Sequence, residues 1–204
     1  MPDRLIRSPQ PSAVAAGEVW EDLVRHHDEY ASGRVEGIPE HRPIAAVLAC
    51  SDARVPPSVI FDQPPGALFL VRLAGNSATA GAVASLTYAV DQLHVPLVIV
   101  LGHTGCGAVE AARSLGPDHP VAALLTPILA PIDEMLDDCE TCQADGDAAV
   151  VANVRRNLQR LVRDRGPLGR AICDGRVALR GAVHDLTSGR LIDVPLVERQ
   201  PAAT

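Results

Sequence analysis

Lysine is absent from the 204-residue sequence, and all 18 basic residues are arginine. Schiff-base chemistry on a protein amine and a Walker-type phosphate loop are thereby excluded, because both need a lysine. Aromatic residues make up only 2% of the chain, so the core must be built from Ala, Val, Leu and Ile. No apolar run reaches the ~18 residues that cross a bilayer. Met1-Pro2-Asp3-Arg4 lacks the basic-then-apolar start of a secretory leader, and a cytoplasmic location is the expectation. Cysteine is scarce and odd in number, five in all, which suits reduced thiols better than a disulfide framework. Positive charge is also short. A net charge of −7 argues against a nucleic-acid or anionic-membrane surface.

What is present reads as an alternation of apolar strands and amphipathic helices. Val14 to Ala31 predicts a helix with Val19, Leu23 and Tyr30 among its apolar positions. Ile44–Ala49, Ala67–Arg72 and Leu97–Leu101 predict three strands. They are continuously apolar, as in a parallel sheet covered by helices on both faces. Between the second and third strands, Ser77 is placed to cap a mostly apolar helix running to about His94, and that histidine to sit at its C-terminus. A short helix is expected after Cys106 and a longer one over about 147–164, turning Val151, Val154, Leu158 and Leu161 inward. Val177–Val183 predicts strand four and Arg190–Val194 an edge strand after the turn Thr187-Ser188-Gly189. The expected fold class is α/β, a single domain with a central, mainly parallel β-sheet of four strands plus an edge strand, flanked by helices.

Two short motifs carry the chemistry. Cys50-Ser51-Asp52-Ala53-Arg54 follows the first strand, and Gly102-His103-Thr104-Gly105-Cys106-Gly107 follows the third. Ligands bind at such carboxyl ends in open α/β sheets. Cys50, His103 and Cys106 form a soft Cys2His set. Three protein ligands rather than four mark a zinc site that keeps a position open. Asp52 and Arg54, two apart on an extended segment, can point the same way and pair.

With these residues the chain resembles the β-class carbonic anhydrases, whose pattern of Cys-x-Asp-x-Arg followed by His-x-x-Cys stands here as Cys50, Asp52, Arg54, His103 and Cys106. Phe61-Asp62-Gln63, Phe69-Leu70-Val71-Arg72, Ala74-Gly75-Asn76 and Tyr88-Ala89-Val90 extend the likeness over about residues 18–195. The resemblance implies one Zn²⁺ per chain and reversible hydration of CO2 to bicarbonate and a proton through a zinc-bound hydroxide. Asp52 would accept the hydroxide's hydrogen and Arg54 would hold Asp52. In a closed, inactive form Asp52 would itself become a metal ligand. Two thiolates leave the metal formally neutral, so activity is expected to be best above neutrality. Phe69, Ala74 and Tyr88 match positions that wall the substrate pocket. His41, nine residues before Cys50, stands where the family usually has a pocket glutamine. Some relatives bind regulatory bicarbonate with a Trp three residues before the first Cys. Val47 is there instead, and although Arg72 matches that site's arginine, no such regulation is expected.

The domain reading is a loose segment over 1–11, a helical arm over 12–32 and the zinc-binding α/β catalytic domain over 33–204. The resemblance implies a homodimer or dimer of dimers, with Tyr88 and His41 near the interface. Two other functions share these motifs: hydrolysis of carbonyl sulfide or carbon disulfide on the same zinc, and a non-catalytic zinc or thiol-redox protein. Cys139-Glu140-Thr141-Cys142 lies in an acidic stretch without a second ligand pair and reads as incidental thiols. Cys173 reads as a buried packing residue, and the arginines of 155–170 as a solvated face.

Overall fold

The computed structural model describes residues 16–33, 37, 40–114 and 145–196. They fall into two compact units divided between Glu40 and His41. The first holds one helix, α1 (Ala16–Ser32). Its side chains are exposed, Trp20 and Leu23 included, and Arg25 pairs with Asp22 and Glu29 along one flank.

The second unit is a five-stranded sheet in the order β2-β1-β3-β4-β5. Its strands are β1 (Ala45–Ala49), β2 (Leu68–Arg72), β3 (Leu97–His103), β4 (Ala178–His184) and β5 (Leu191–Asp193). The first four pair in parallel, and β5 runs antiparallel on the β4 edge, as the sequence suggests. β1 lies between β2 and β3, and its Ala-Ala-Val-Leu-Ala run is buried throughout.

The helices are α2 (Pro57–Ile60), α3 (Ala80–Asp91), α4 (Gly107–Ser114), α5 (Gly146–Arg163) and α6 (Pro167–Cys173). Ala46 and Leu48 turn toward the main apolar cluster, with Leu86 of α3, Leu158 and Leu161 of α5 and Leu168 of α6. Val47 and Ala49 turn to the other face, where Leu101 and Ala182 complete a much smaller cluster. At Gly102 the sheet meets α5 so closely that a Cβ would lie 2.6 Å from Val154 Cγ2. Glycine there permits the close packing of strand on helix.

Several details depart from the sequence reading. Thr79, not Ser77, caps α3, accepting from Ala82 N at 3.3 Å; the Ser77 hydroxyl instead donates to Ala74 O. His94 lies just beyond the last turn of α3 in a left-handed conformation, φ +55°, where Val95 N bonds back to Ala89 O at 3.2 Å and closes the helix end. β3 continues through Gly102 to His103, because Val183 and His184 of β4 go on pairing with it. On α5 it is Val150 rather than Val151 that is fully buried, and two asparagines, Asn153 and Asn157, share the buried face. Arg155, Arg156 and Arg160 are half-buried rather than a fully solvated row. Cys173 is exposed, at the last turn of α6. The segment 1–11, the Pro-rich stretch 117–131 and the Cys139/Cys142 pair lie outside the described residues.

Candidate metal centre

The two motifs converge. Cys50 is the residue after β1, His103 ends β3, and Cys106 precedes α4. One ligand atom from each of these three buried residues lies within 4.8 Å of the others. The parallel pairing of β1 and β3 puts both strand ends on one edge.

His103 is fixed by its neighbour. Its Nδ1–H donates to Thr104 O at 3.0 Å, which leaves the Nε2 lone pair for a metal. That Nε2 is buried and has no hydrogen-bond partner. The Thr104 hydroxyl accepts from Leu186 N at 3.0 Å, and Thr104 N donates to His184 O at 3.0 Å, so the turn is pinned to the end of β4.

Cys106 caps α4. Its carbonyl accepts the first helical bond, from Glu110 N at 3.0 Å, and the backbone of Ala108 and Val109 at the start of α4 favours the charged form of its sulfur. A thiolate is favoured at a helix N-terminus. Without a cation the two sulfurs, 3.9 Å apart, share one proton. Either sulfur can donate to the other, and the contact draws the Cys50 thiol down while it pushes Cys106 up. A divalent metal would remove the need for that proton. An orphaned imidazole nitrogen beside two buried sulfurs is therefore a donor set that fits zinc.

Asp52 and Arg54 meet as anticipated, but through a turn. Val55 N donates to Asp52 O at 3.1 Å, and Arg54 N donates to Asp52 Oδ1 at 2.9 Å. The Arg54 guanidinium then grips both carboxylate oxygens, Nε to Oδ1 at 3.0 Å and Nη2 to Oδ2 at 2.7 Å. These bonds hold the Asp52 carboxyl down at about 2, so it is ionised and can only accept hydrogen bonds. Its Oδ2 lies 3.9 Å from His103 Nε2. Arg54 Nη2 also reaches Gly105 O at 3.5 Å, linking the two motif loops.

The other anticipated residues divide. Phe69 on β2 and Tyr88 on α3 bring their rings to 6.1 Å at 39°. Ala74 opens a 3-10 turn (Ala74–Asn76), and the next residue, Gly75, donates its N–H to Cys50 Sγ at 3.4 Å. His41 is exposed and makes no hydrogen bond or ion pair with another described residue. Arg72 does more than its motif position suggests. From the end of β2 it donates through Nε to Cys50 O at 3.0 Å and through Nη2 to Asp52 O at 2.6 Å. It thus clamps the main chain on both sides of Ser51. Sequence reasoning missed this role and the ties that Thr104 makes to the end of β4.

The chain is similar to known proteins. The family model described as carbonic anhydrase matches residues 45–191. Carbonic anhydrase 2 of Mycobacterium tuberculosis is 28% identical over 203 residues, spanning 90% of this chain and 94% of its own. The solved structure of the Coccomyxa β-carbonic anhydrase in complex with acetazolamide superposes with a TM-score of 0.68 at 25% identity, covering 88% of this chain and 83% of that one. One of two tetrameric β-carbonic anhydrases from Sordaria macrospora shares the fold, with a TM-score of 0.63 at 23% identity over 89% and 94% of the two chains. With a match across nearly three-quarters of its length and both motifs built into one buried cluster, the chain belongs to the β-class carbonic anhydrase family.

Proposed function

We propose that the protein catalyses reversible hydration of CO2 to bicarbonate and a proton, with one zinc per chain held by Cys50, His103 and Cys106. The observation that carries this is the juxtaposition of that ligand set with an ionised, Arg54-gripped Asp52. When bound, zinc supplies a Lewis acid that makes water a nucleophile near neutral pH. Asp52, unable to donate, accepts the hydrogen of the attacking oxygen and so turns a lone pair toward CO2. Arg54 and the Asp52–Val55 turn keep that carboxylate from swinging. While the grip lasts, Asp52 is withheld from the metal; release from Arg54 is what would let it ligate. Phe69, Ala74 and Tyr88 offer the nonpolar gas an apolar approach.

A structural or redox zinc site would need neither Asp52 nor Arg54. Stopped-flow CO2 hydration with zinc content, run beside a sulfide-release assay on carbonyl sulfide and carbon disulfide, tests the reading. Hydration with about one zinc per chain is expected. Sulfide release without hydration would move the chain to the sulfur substrates, and neither activity in the zinc-loaded protein would leave a non-catalytic site.

We also infer a homodimer or dimer of dimers in a reducing, cytoplasmic setting. Ile44, Val59 and Tyr88 are exposed apolar side chains of the α/β unit, and α1 exposes Val19, Trp20, Leu23 and Tyr30. Surface of this kind suits an obligate partner. No helix among the described residues is long and apolar enough to cross a membrane. Sedimentation at micromolar concentration should give a dimer or tetramer, which deletion of residues 1–31 should weaken. A fully active monomer would refute the assembly.

A further inference from the structure

The buried face of α5 is apolar except at two positions. Asn153 and Asn157 are completely buried among Val150, Val154, Leu158 and Leu161. Burying two amides costs free energy unless each polar atom is paired, and leucines would serve packing alone at least as well. These two amides are paired in one direction. Ala78 N donates to Asn157 Oδ1 at 2.7 Å. Asn157 Nδ2 donates to Asn153 Oδ1 at 2.9 Å, and Asn153 Nδ2 donates to Gly75 O at 2.8 Å. One helical turn separates the asparagines, so their side chains stack on a single face, and the relay spans residues 75–78.

The segment has an unusual shape. Gly75 and Asn76 are consecutive left-handed residues, φ +66° and +45°, a conformation that glycine adopts freely and asparagine more readily than other residues with a Cβ. Asn76 Nδ2 is buried without a hydrogen-bond partner, a local cost. At the head of the same segment, Gly75 N–H donates to Cys50 Sγ at 3.4 Å. Asn153 therefore grips the carbonyl of the residue whose amide reaches the sulfur.

We propose that Asn153 and Asn157 are positioning residues for the Cys50 thiolate: from α5 they hold the 75–78 segment so that the Gly75 amide stays on the sulfur. The inference rests on the zinc reading above. An N–H donor withdraws charge from a thiolate, and partners of this outer shell set how a metal is held. The Gly75 donor lies 25 residues from Cys50, and the support for its position comes from a helix about a hundred residues away in sequence.

The test is Asn153→Leu and Asn157→Leu, with Asn157→Ser in case the larger side chain prevents folding, and Val154→Ala on the same helix as a control for lost stability. Two readouts are taken on the full chain. One is the near-ultraviolet sulfur-to-metal charge-transfer band after Co²⁺ substitution. The other is the rate at which a chelator removes zinc. The asparagine variants should move the band to longer wavelength, because the sulfur becomes more electron-rich, and release zinc about 10-fold faster. Val154→Ala should lower the melting temperature yet leave both readouts as in the parent. Asparagine variants that lose only stability, with band and release rate unchanged, would reduce the pair to ordinary packing and overturn the proposal, leaving the zinc reading intact. A parent protein that shows no thiolate–cobalt band would overturn both.

Discussion

The two sulfurs of the site sit 3.9 Å apart yet are supported in opposite ways. Cys106 is held locally: it caps the helix that follows it, and the nearest ring, His103, is fixed by the carbonyl of its own neighbour. Cys50 is held from a distance. Arg72 of β2 grips the carbonyls on both sides of Ser51, Leu73 continues the β1–β2 ladder by accepting from Ser51 N, and Gly75, fixed through α5, bonds the sulfur. One half of the site is written in six consecutive residues. The other is assembled from three parts of the fold, and it is the half that carries Asp52.

Direct removal of a ligand should erase the contrast. Cys50→Ser and Cys106→Ser are each expected to lose both zinc and CO2 hydration, measured as metal per chain and stopped-flow rate. Cys139→Ser and Cys142→Ser should lose neither. Zinc lost from the latter pair would mean that the ligands are misassigned. Next in size is the carboxylate. Asp52→Asn keeps the shape but adds a donor, and Arg54→Ala frees the carboxylate. Both should retain zinc while turnover falls by about 100-fold or more. Parent-like rates in both would reduce the pair to a surface ion pair.

The contrast also accounts for what could be read in advance. Strand order aside, the sheet was legible because β1 and β3 are uninterrupted apolar runs, each ending in a motif. The grouping of the candidate ligands was legible because Cys106 and His103 share one short motif whose geometry a β-strand and a helix start dictate. Asn153 and Asn157 were not, since a polar residue on an amphipathic helix gives no sign of which way it faces until the sheet beneath it is known. The same holds for Cys173: a small thiol beside apolar residues suggests burial, and only the termination of α6 at the surface exposes it. Arg72 was recognised by position alone. Its task depends on where β2 ends relative to β1, a register the sequence does not encode locally.

Weakening each support separately sharpens the comparison. On the distant side, Arg72→Leu removes two hydrogen bonds from a guanidinium to the Cys50–Asp52 backbone. Outer-shell losses of this kind cost about 10- to 100-fold, and the expectation is a drop of about 10-fold in kcat/KM, with faster zinc release to a chelator. Arg72→Lys should not restore it, because an ammonium lacks the planar fork that spans two carbonyls. Rescue by lysine would mean that charge, not geometry, is what Arg72 contributes.

On the local side the effect should be smallest. Thr104→Val deletes the hydroxyl that accepts from Leu186 N at 3.0 Å and faces Asp185 Oδ1 at 3.4 Å. The valine keeps the branched shape and the backbone, so Thr104 O still accepts from His103 Nδ1 and Thr104 N still donates to His184 O. Only the tie to the β4–β5 turn is lost, and Asp185 keeps Thr187 N and the Ser188 hydroxyl as partners. The cost should be that of one hydrogen bond with a half-buried donor left over, about 1 kcal/mol of stability, read from a denaturant midpoint. Zinc content should be unchanged and turnover should stay within about twofold, because nothing that orients the ring, the Cys106 cap or Asp52 has moved. If Thr104→Val instead weakens zinc binding as much as Arg72→Leu does, the His103–Cys106 half is held through the β4–β5 turn as well, and the division between a locally and a remotely supported sulfur fails.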